Sequence, residues 1–296
     1  MISVLVILNK NSGRSFSPKT LNGVMAKLTD AQIFARQAIA TPTSRDETIA
    51  IVLQAVLNHV THVAVWGGDG TINAVLQGIM QAAADKKNRP VLILLGGGSG
   101  SDFLRFRRTL PPRQAMATDI GIVDCLDSGE RRWFLNGFSL GVTAQIAAMK
   151  ETMPRSLPGR LKYLFATVKR LLQGQLYHHL ILDAQTQGLV LSLLVLNGRF
   201  VGAGMRIKAD AAINDGMLDV VLIPRLGLLA IASALLRAYT TGVSAHPGVR
   251  CRALTERLKI ETTQPLAYET DGETGLSSRL EISVEAGGLN VMILAH

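Results

Sequence analysis

Cysteine is scarce. Cys125 and Cys251 are the only two, far apart and in no ligand-like spacing, which argues against a zinc site and a disulfide framework. A reducing, cytoplasmic setting fits that usage. Long apolar runs are also missing. LGLLAIASALLRAY, Leu226 to Tyr239, is interrupted by Arg237 and falls short of the roughly 20 residues a bilayer span needs. No transmembrane segment is therefore expected. The opening MISVLVILNK has too short an apolar run for a signal peptide and no small-residue cleavage site, so residues 2–8 read as a buried first strand. The chain has no low-complexity tract, Pro/Ser-rich linker or internal repeat. With 48% hydrophobic and 18% charged residues, long disordered segments are excluded.

Positive charge is plentiful: Lys and Arg number 31 against 22 Asp and Glu, a formal charge of +9. Such a surplus suits an anionic partner, whether a nucleotide, nucleic acid or acidic membrane surface, and equally suits solubility alone. A length of 296 residues favours two domains. The two halves differ in period. Up to about Arg108, ISVLVIL (2–8), AQIFARQAIA (31–40), HVAVW (62–66) and VLILL (91–95) read as strands. Between them run helical patterns, with Pro18 at one helix start and Ser44 as an N-cap. The alternation predicts a Rossmann-like α/β domain with a parallel sheet over residues 1–118, to which the tail 290–296 is a candidate to return.

From Asp119 to about residue 290, short apolar runs separated by Gly, Asp, Asn or Pro turns predict an antiparallel β-sandwich. DIGIVDCL, RRWFLNGFSL, HHLILDA, GLVLSLLVLNG, MLDVVLIP, ERLKIETT, LAYETDG, SRLEISVEA and LNVMILA are its strands. Two helices interrupt them, near 161–172 and 228–239. The first of these, GRLKYLFATVKRLL, is basic and amphipathic through Arg160, Lys162, Lys169 and Arg170. It suits either a core-facing helix with a wet side or one resting on an anionic bilayer.

GGDGTINA, Gly67 to Ala74, follows the strand HVAVW and opens a helix. Gly67, Gly68 and Gly70 let the backbone approach a phosphate, while the helix N-terminus presents N–H groups to it. Thr71 is placed to cap the helix and reach a phosphate oxygen. Asp69 is harder to explain as a turn residue, because a carboxylate beside a phosphate repels it unless Mg²⁺ or proton transfer calls for negative charge. A second loop, Gly96 to Asp102, follows the next strand and leads toward another helix. Paired glycine loops at the carboxyl ends of successive strands sit where open α/β sheets bind ligands. Neither matches GxxxxGK[ST], which excludes a P-loop nucleotidase.

GGDGTINAVLQGI resembles the nucleotide signature of the diacylglycerol kinase catalytic family, which includes sphingosine kinases and bacterial lipid kinases. GSGSDFLR, FLNGFSLG, VLNGRFVGAGMRIKADAAINDGMLDVVLI and YETDGE resemble further landmarks of that family, in its order. The resemblance implies ATP, Mg²⁺ and transfer of the γ-phosphate to a lipid hydroxyl at a membrane surface, with the active site between the two domains. It implies nucleotide contacts at Asn9, Thr41, Gly67, Gly68, Asp69, Gly70, Thr71, Asn73 and Ser99. The second loop departs from the family pattern, with Ser99 for Thr, Ser101 for Asn and Gly96 for Pro. No nucleic-acid partner is expected, and a homodimer is compatible with the chain.

Asp271 and Glu273 flank Gly272 in YETDGETG and would face the same way on an extended strand. A carboxylate can take the proton of an attacking hydroxyl. By resemblance Glu273 is the base, and Asp271, with Asp69, completes the catalytic set. AINDGMLD holds Asp215 and Asp219, which read equally as a hairpin turn; the resemblance suggests Mg²⁺ held there by Asp215 and the carbonyls of Ala212 and Met217. Arg105 and Lys208 are phosphate-partner candidates. His59, His62, His178 and His179 come with no ligand set. Two alternatives stand beside the lipid kinase: an NAD kinase-like enzyme, although no Asn-Glu dipeptide occurs, and a nucleotide-binding relative without catalysis.

Overall fold

The computed structural model of the chain describes residues 3–10, 17–31, 33, 36–97, 102–108, 114–151, 153, 162, 165–167, 169–170, 173–174, 176–202 and 204–294. The chain divides into two units, 1–118 with 287–296, and 119–286.

In the first unit, β1 (Ser3–Leu8), α1 (Pro18–Asp30), β2 (Arg36–Ala40), α2 (Arg45–Leu57), β3 (His62–Gly67), α3 (Asp69–Ala82) and β4 (Val91–Gly97) alternate along the chain. The strands lie parallel in the order β2, β1, β3, β4. The sheet is extended beside β4 by the end of the last strand, where Met292 pairs with Ile93. β1, β3 and β4 are covered on both faces and read as apolar runs, whereas β2 at the sheet edge leaves Ala38 and Ile39 exposed. One face packs Val6, Leu8, Ala64, Trp66 and Ile93 against Val24 and Leu28 of α1. The alternate residues Leu5, Ile7, Val63, Val65, Leu92 and Leu94 are equally buried on the other.

Local signals set the helix ends. Ser44 caps α2 by accepting the Glu47 N–H at 3.1 Å, and Glu47 Oε2 accepts the Thr43 N–H in return at 2.7 Å. Helices α2 and α3 cross at Gly78, where a Cβ would meet Val52 at 2.8 Å. Of the expected strand over 31–40, Arg36–Ala40 is strand and Ala31 lies in a turn, while residues 32, 34 and 35 lie outside the described residues. Phe103–Arg108 is the helix expected after the second glycine loop, in 3₁₀ form.

The second unit is antiparallel. Its strands are β6 (Arg131–Phe134), β7 (Gly137–Gly141), β8 (His178–Leu182), β9 (Gln185–Leu196), β12 (Leu218–Pro224), β13 (Arg250–Leu254), β14 (Arg257–Thr270) and the start of β15 (Glu273–Ile293), with β5 (Met116–Cys125) entering it and a small hairpin of β10 (Phe200–Val201) and β11 (Met205–Arg206). The order β13, β12, β9, β7, β14, β15 is joined by β8, which pairs with β9 and β14, and β6 pairs with β5. Phe134, Phe138, Leu140, Leu193, Val195, Leu258, Tyr268 and Ile282 fill one core. A second core lies under α4 (Val142–Glu151) and α5 (Leu228–Ala238), through Val142, Leu194, Val221 and Ile231.

The sequence pattern merged some strands of this unit and split others. RRWFLNGFSL is two strands broken at Leu135 and Asn136. ERLKIETT and LAYETDG are one strand with a bulge between Glu261 and Leu266, and SRLEISVEA with LNVMILA belongs to one strand of 21 residues. Residues 162, 165–167 and 169–170 are helical as expected of 161–172; the rest of that stretch lies outside the described residues. Arg170 leaves the expected basic face: it is buried and donates from Nε to Gln145 Oε1 at 2.6 Å.

Candidate functional site

In the first unit the strand order reverses direction between β1 and β3, and a ligand crevice of an open α/β sheet forms at such a switch point. Asn9 follows β1, and the three-glycine loop follows β3. Asn9 ties them together: its N–H donates to Trp66 O at 3.0 Å and its Nδ2 to Thr71 Oγ1 at 2.7 Å. The loop is tight enough to demand glycine, since a Cβ on Gly67 would stand 2.6 Å from the Thr71 side chain. Gly97, at φ +111°, likewise leaves no room beside the Trp66 ring.

Gly68, which has no side chain to cap with, is the N-cap of α3, so Thr71 lies inside the first turn, its N–H donating to Gly68 O at 3.0 Å, rather than at the cap. Asp69 occupies the first helical position, where the helix end favours negative charge, and its Oδ2 accepts the Asp102 N–H at 3.3 Å. Asn73 is buried about one helical turn beyond Asp69 and accepts from Arg45 Nη2 at 2.8 Å, a structural tie between α2 and α3. Thr41 follows β2 and is exposed. Ser99 lies outside the described residues. Arg105 donates to Asp102 at 3.3 Å, forming an ion pair of its own.

In the second unit Asp271 and Gly272 form the two-residue turn between β14 and β15, at φ +48° and +97°, with Thr270 paired to Glu273. Both central residues have positive φ, as the twist-matched hairpin turn requires. Asp271 therefore sits in the turn and Glu273 begins the strand, so the expectation that both face one way along an extended strand fails. The Asp271 carboxylate has a different task. It accepts the N–H groups of Leu135, Asn136 and Gly137 at 2.8, 3.0 and 2.9 Å. Glu269, buried beside the turn, accepts from Ser139 Oγ at 2.9 Å and from the Gly272 N–H.

A polar frame surrounds this turn. Buried Asn197 donates from Nδ2 to Asp119 O at 2.7 Å and Leu135 O at 2.8 Å, while Asn136 Nδ2 donates to Phe200 O at 2.7 Å. Asn136, Asn197, Asp119 and Glu269 were not singled out from the sequence. Their signal was the repeated Leu-Asn-Gly at 135–137 and 196–198, whose backbones bond where Asn197 N–H meets Asn136 O at 3.0 Å. Arg132 is close to Glu273: burial alone would lower its guanidinium, but Glu130, Tyr268 and Glu273 hold it above its ordinary value.

At the suggested cation loop, Asp215 is exposed and its Oδ1 accepts the Met217 N–H at 3.1 Å, while buried Asp119 accepts the Gly216 N–H at 2.7 Å. Carboxylate and backbone carbonyl oxygens are the donor types that hard cations take. Lys208 lies between Asp210 and Asp219, 3.7 Å from the latter. Burial pulls its ammonium down, yet these carboxylates hold it above its ordinary value. Burial in turn pushes the Asp219 carboxyl up against the pull of Lys208. Lys208 is thus engaged within its own unit.

The chain thus presents a parallel sheet with a glycine loop at its switch point, followed by an antiparallel unit with an acidic turn. Residues 3–121 match the diacylglycerol kinase catalytic domain, and residues 137–293 match the YegS C-terminal NAD kinase beta sandwich-like domain. The chain belongs to the diacylglycerol kinase family of lipid kinases, with a second half of the YegS type. It is 28% identical to the "Probable lipid kinase YegS-like" of Xanthomonas campestris, over 81% of each chain. It is 26% identical to the "Diacylglycerol kinase" of Staphylococcus saprophyticus, over 91% of this chain and 88% of that one. A crystal structure of a diacylglycerol kinase from Bacillus anthracis superposes with a TM-score of 0.70 at 18% identity, covering 98% of this chain and 96% of that one, a likeness of fold. Kinase membership entails ATP as phosphoryl donor.

Proposed function

We propose that the protein transfers the γ-phosphate of ATP to a hydroxyl group of a lipid such as diacylglycerol, with the phosphates at the loop from Gly67 to Asn73 and Glu273 as general base. The observation that carries this reading is the coincidence of the three-glycine loop with the β1/β3 switch point, where Asn9 and Thr71 are already bonded. The start of α3 at Gly68 brings the positive end of a helix to this loop, which favours a phosphate there. Thr41 and Ser99 are the proposed outlying nucleotide contacts.

The step itself is an in-line displacement. Glu273 takes the proton of the lipid hydroxyl; the hydroxyl oxygen bonds to the γ-phosphorus, and the bond from that phosphorus to the bridging oxygen breaks to leave ADP. Asp271 acts as a positioning residue, fixing the turn on which Glu273 stands. Asp69 would hold Mg²⁺ near the phosphates, and Asp215 with the Ala212 and Met217 carbonyls would hold a structural one. Bound Mg²⁺ supplies neutralisation of phosphate charge.

Thermal protection tests the nucleotide half. ATP with Mg²⁺ at a hundredfold excess over Kd stabilises the native state by about 2.7 kcal/mol, and Asp69→Ala should weaken that protection. Protection by NAD without any by ATP would favour an NAD kinase-like enzyme. Protection by ATP with no turnover on any lipid would favour a relative that only binds.

A further inference from the structure

Helix α5 is covered on one side only. Ile231, Ala234 and Ala238 are buried, and Ile231 and Ala238 join the cluster of Ile207, Val221, Ile223 and Val243. On the opposite side Leu229, Ala232, Ser233, Leu236 and Tyr239 follow at helical spacing, all exposed, with Leu229 at 88%, Leu236 at 69% and Tyr239 at 53%. Leu228, at 72%, continues the patch at its start. No charged side chain interrupts this face, an arrangement that marks interaction sites on soluble proteins.

The charge around it is one-sided. Between Asp219 and Glu256 there is no acidic residue, whereas Arg225 precedes the helix, Arg237 lies in its last turn and exposed Arg250 follows. Arg206 adds to the far end by donating to Thr240 O at 2.8 Å. Asp210, in the segment beside that end, is ion-paired with Lys208. With 11 residues, α5 is about 16 Å long, too short to cross a bilayer but suited to lie in its surface. Tyr239 is of the amphipathic kind that sits at such interfaces.

We propose that the uncovered face of α5 is the surface by which the protein rests on an anionic lipid bilayer, which deepens the lipid kinase reading and rests on it. Apolar residues enter the headgroup boundary, and the flanking arginines meet anionic headgroups.

Sedimentation of the full chain with phosphatidylglycerol/phosphatidylcholine vesicles, and with phosphatidylcholine alone, tests this. Wild-type protein should partition to the anionic vesicles. Leu229→Gln with Leu236→Gln should lose about tenfold or more, the scale for keeping one leucine in water, with Tm and ATP protection unchanged. Equal partitioning of variant and wild type overturns the proposal, as does equal wild-type binding to neutral vesicles. A wild-type dimer that the double variant converts to monomer overturns it too, because a second copy then covers the face. Should the double variant melt early, Leu229→Trp substitutes: its added fluorescence should shift to the blue on anionic vesicles, and no shift overturns the proposal. Phosphorylation of lipids in detergent micelles keeps the two readings apart. Its absence sinks the kinase assignment and leaves the vesicle result standing by itself.

Discussion

Asp271 holds a positive φ that asparagine tolerates at least as well as aspartate, so Asp271→Asn removes charge without adding backbone strain. Its carboxylate accepts three backbone N–H groups across the 135–137 turn. Hydrogen bonds to a charged group are each worth roughly 1.5–3 kcal/mol. The variant should therefore lose about 2 kcal/mol or more of stability, read by denaturant unfolding, with activity falling because the turn loosens. Glu273→Gln is expected to behave differently. It should keep the melting temperature and ATP protection and lose roughly 10²-fold or more in turnover, the scale for removing a general base. Wild-type turnover in Glu273→Gln across a pH series would remove that role from the residue. This division of labour was not legible in YETDGE, because spacing shows two carboxylates but not which is consumed in holding the turn.

Among the elements, the β/α alternation of the first unit could be read from apolar periodicity and caps, since β1, β3 and β4 are buried on both faces and Ser44 and Pro18 mark helix starts. The sequence pattern was weaker where length and irregularity compete. The bulge in β14 hid a strand of 14 residues as two, and α4 went unread because its ten residues carry little amphipathic signal after the apolar run of β7. The glycine loop was legible by composition, its strict need for glycine only in space. Gly67→Val should push Thr71 aside and abolish ATP protection in a thermal melt, whereas an unchanged ATP response would show that Thr71 moves at no consequence.

The hairpin end of the second unit carries a pH term. Asp127 accepts from the Ser278 N–H at 2.6 Å, from the Arg279 Nε at 2.9 Å and from the Ser277 hydroxyl at 2.8 Å. These bonds, the Ser278 backbone first, hold its carboxyl far below the usual range. A depressed carboxyl contributes stability that is full above the unfolded-state value of about 4 and is lost as pH falls toward the folded-state value. Asp127→Asn should melt below wild type at pH 7, and the gap should close as the pH is lowered below about 4. A gap that is constant down to pH 2 would contradict the assignment.

For the whole molecule, family membership and the two-unit organisation account for ATP use and for the placing of a glycine loop at a sheet's switch point. The surplus of basic charge, ambiguous as composition, acquires a location in the arginines around α5. That could not be foreseen from Leu226 to Tyr239, whose apolar run says nothing about which side is covered. Phosphoryl transfer to a lipid is read out by incubation with γ-labelled ATP, Mg²⁺ and a panel of hydroxyl-bearing lipids, followed by chromatography of the organic phase. Label should enter at least one lipid, be absent without protein and fall roughly 10²-fold in Glu273→Gln; label that stays in the aqueous phase with every lipid, or that appears on NAD, rules this activity out.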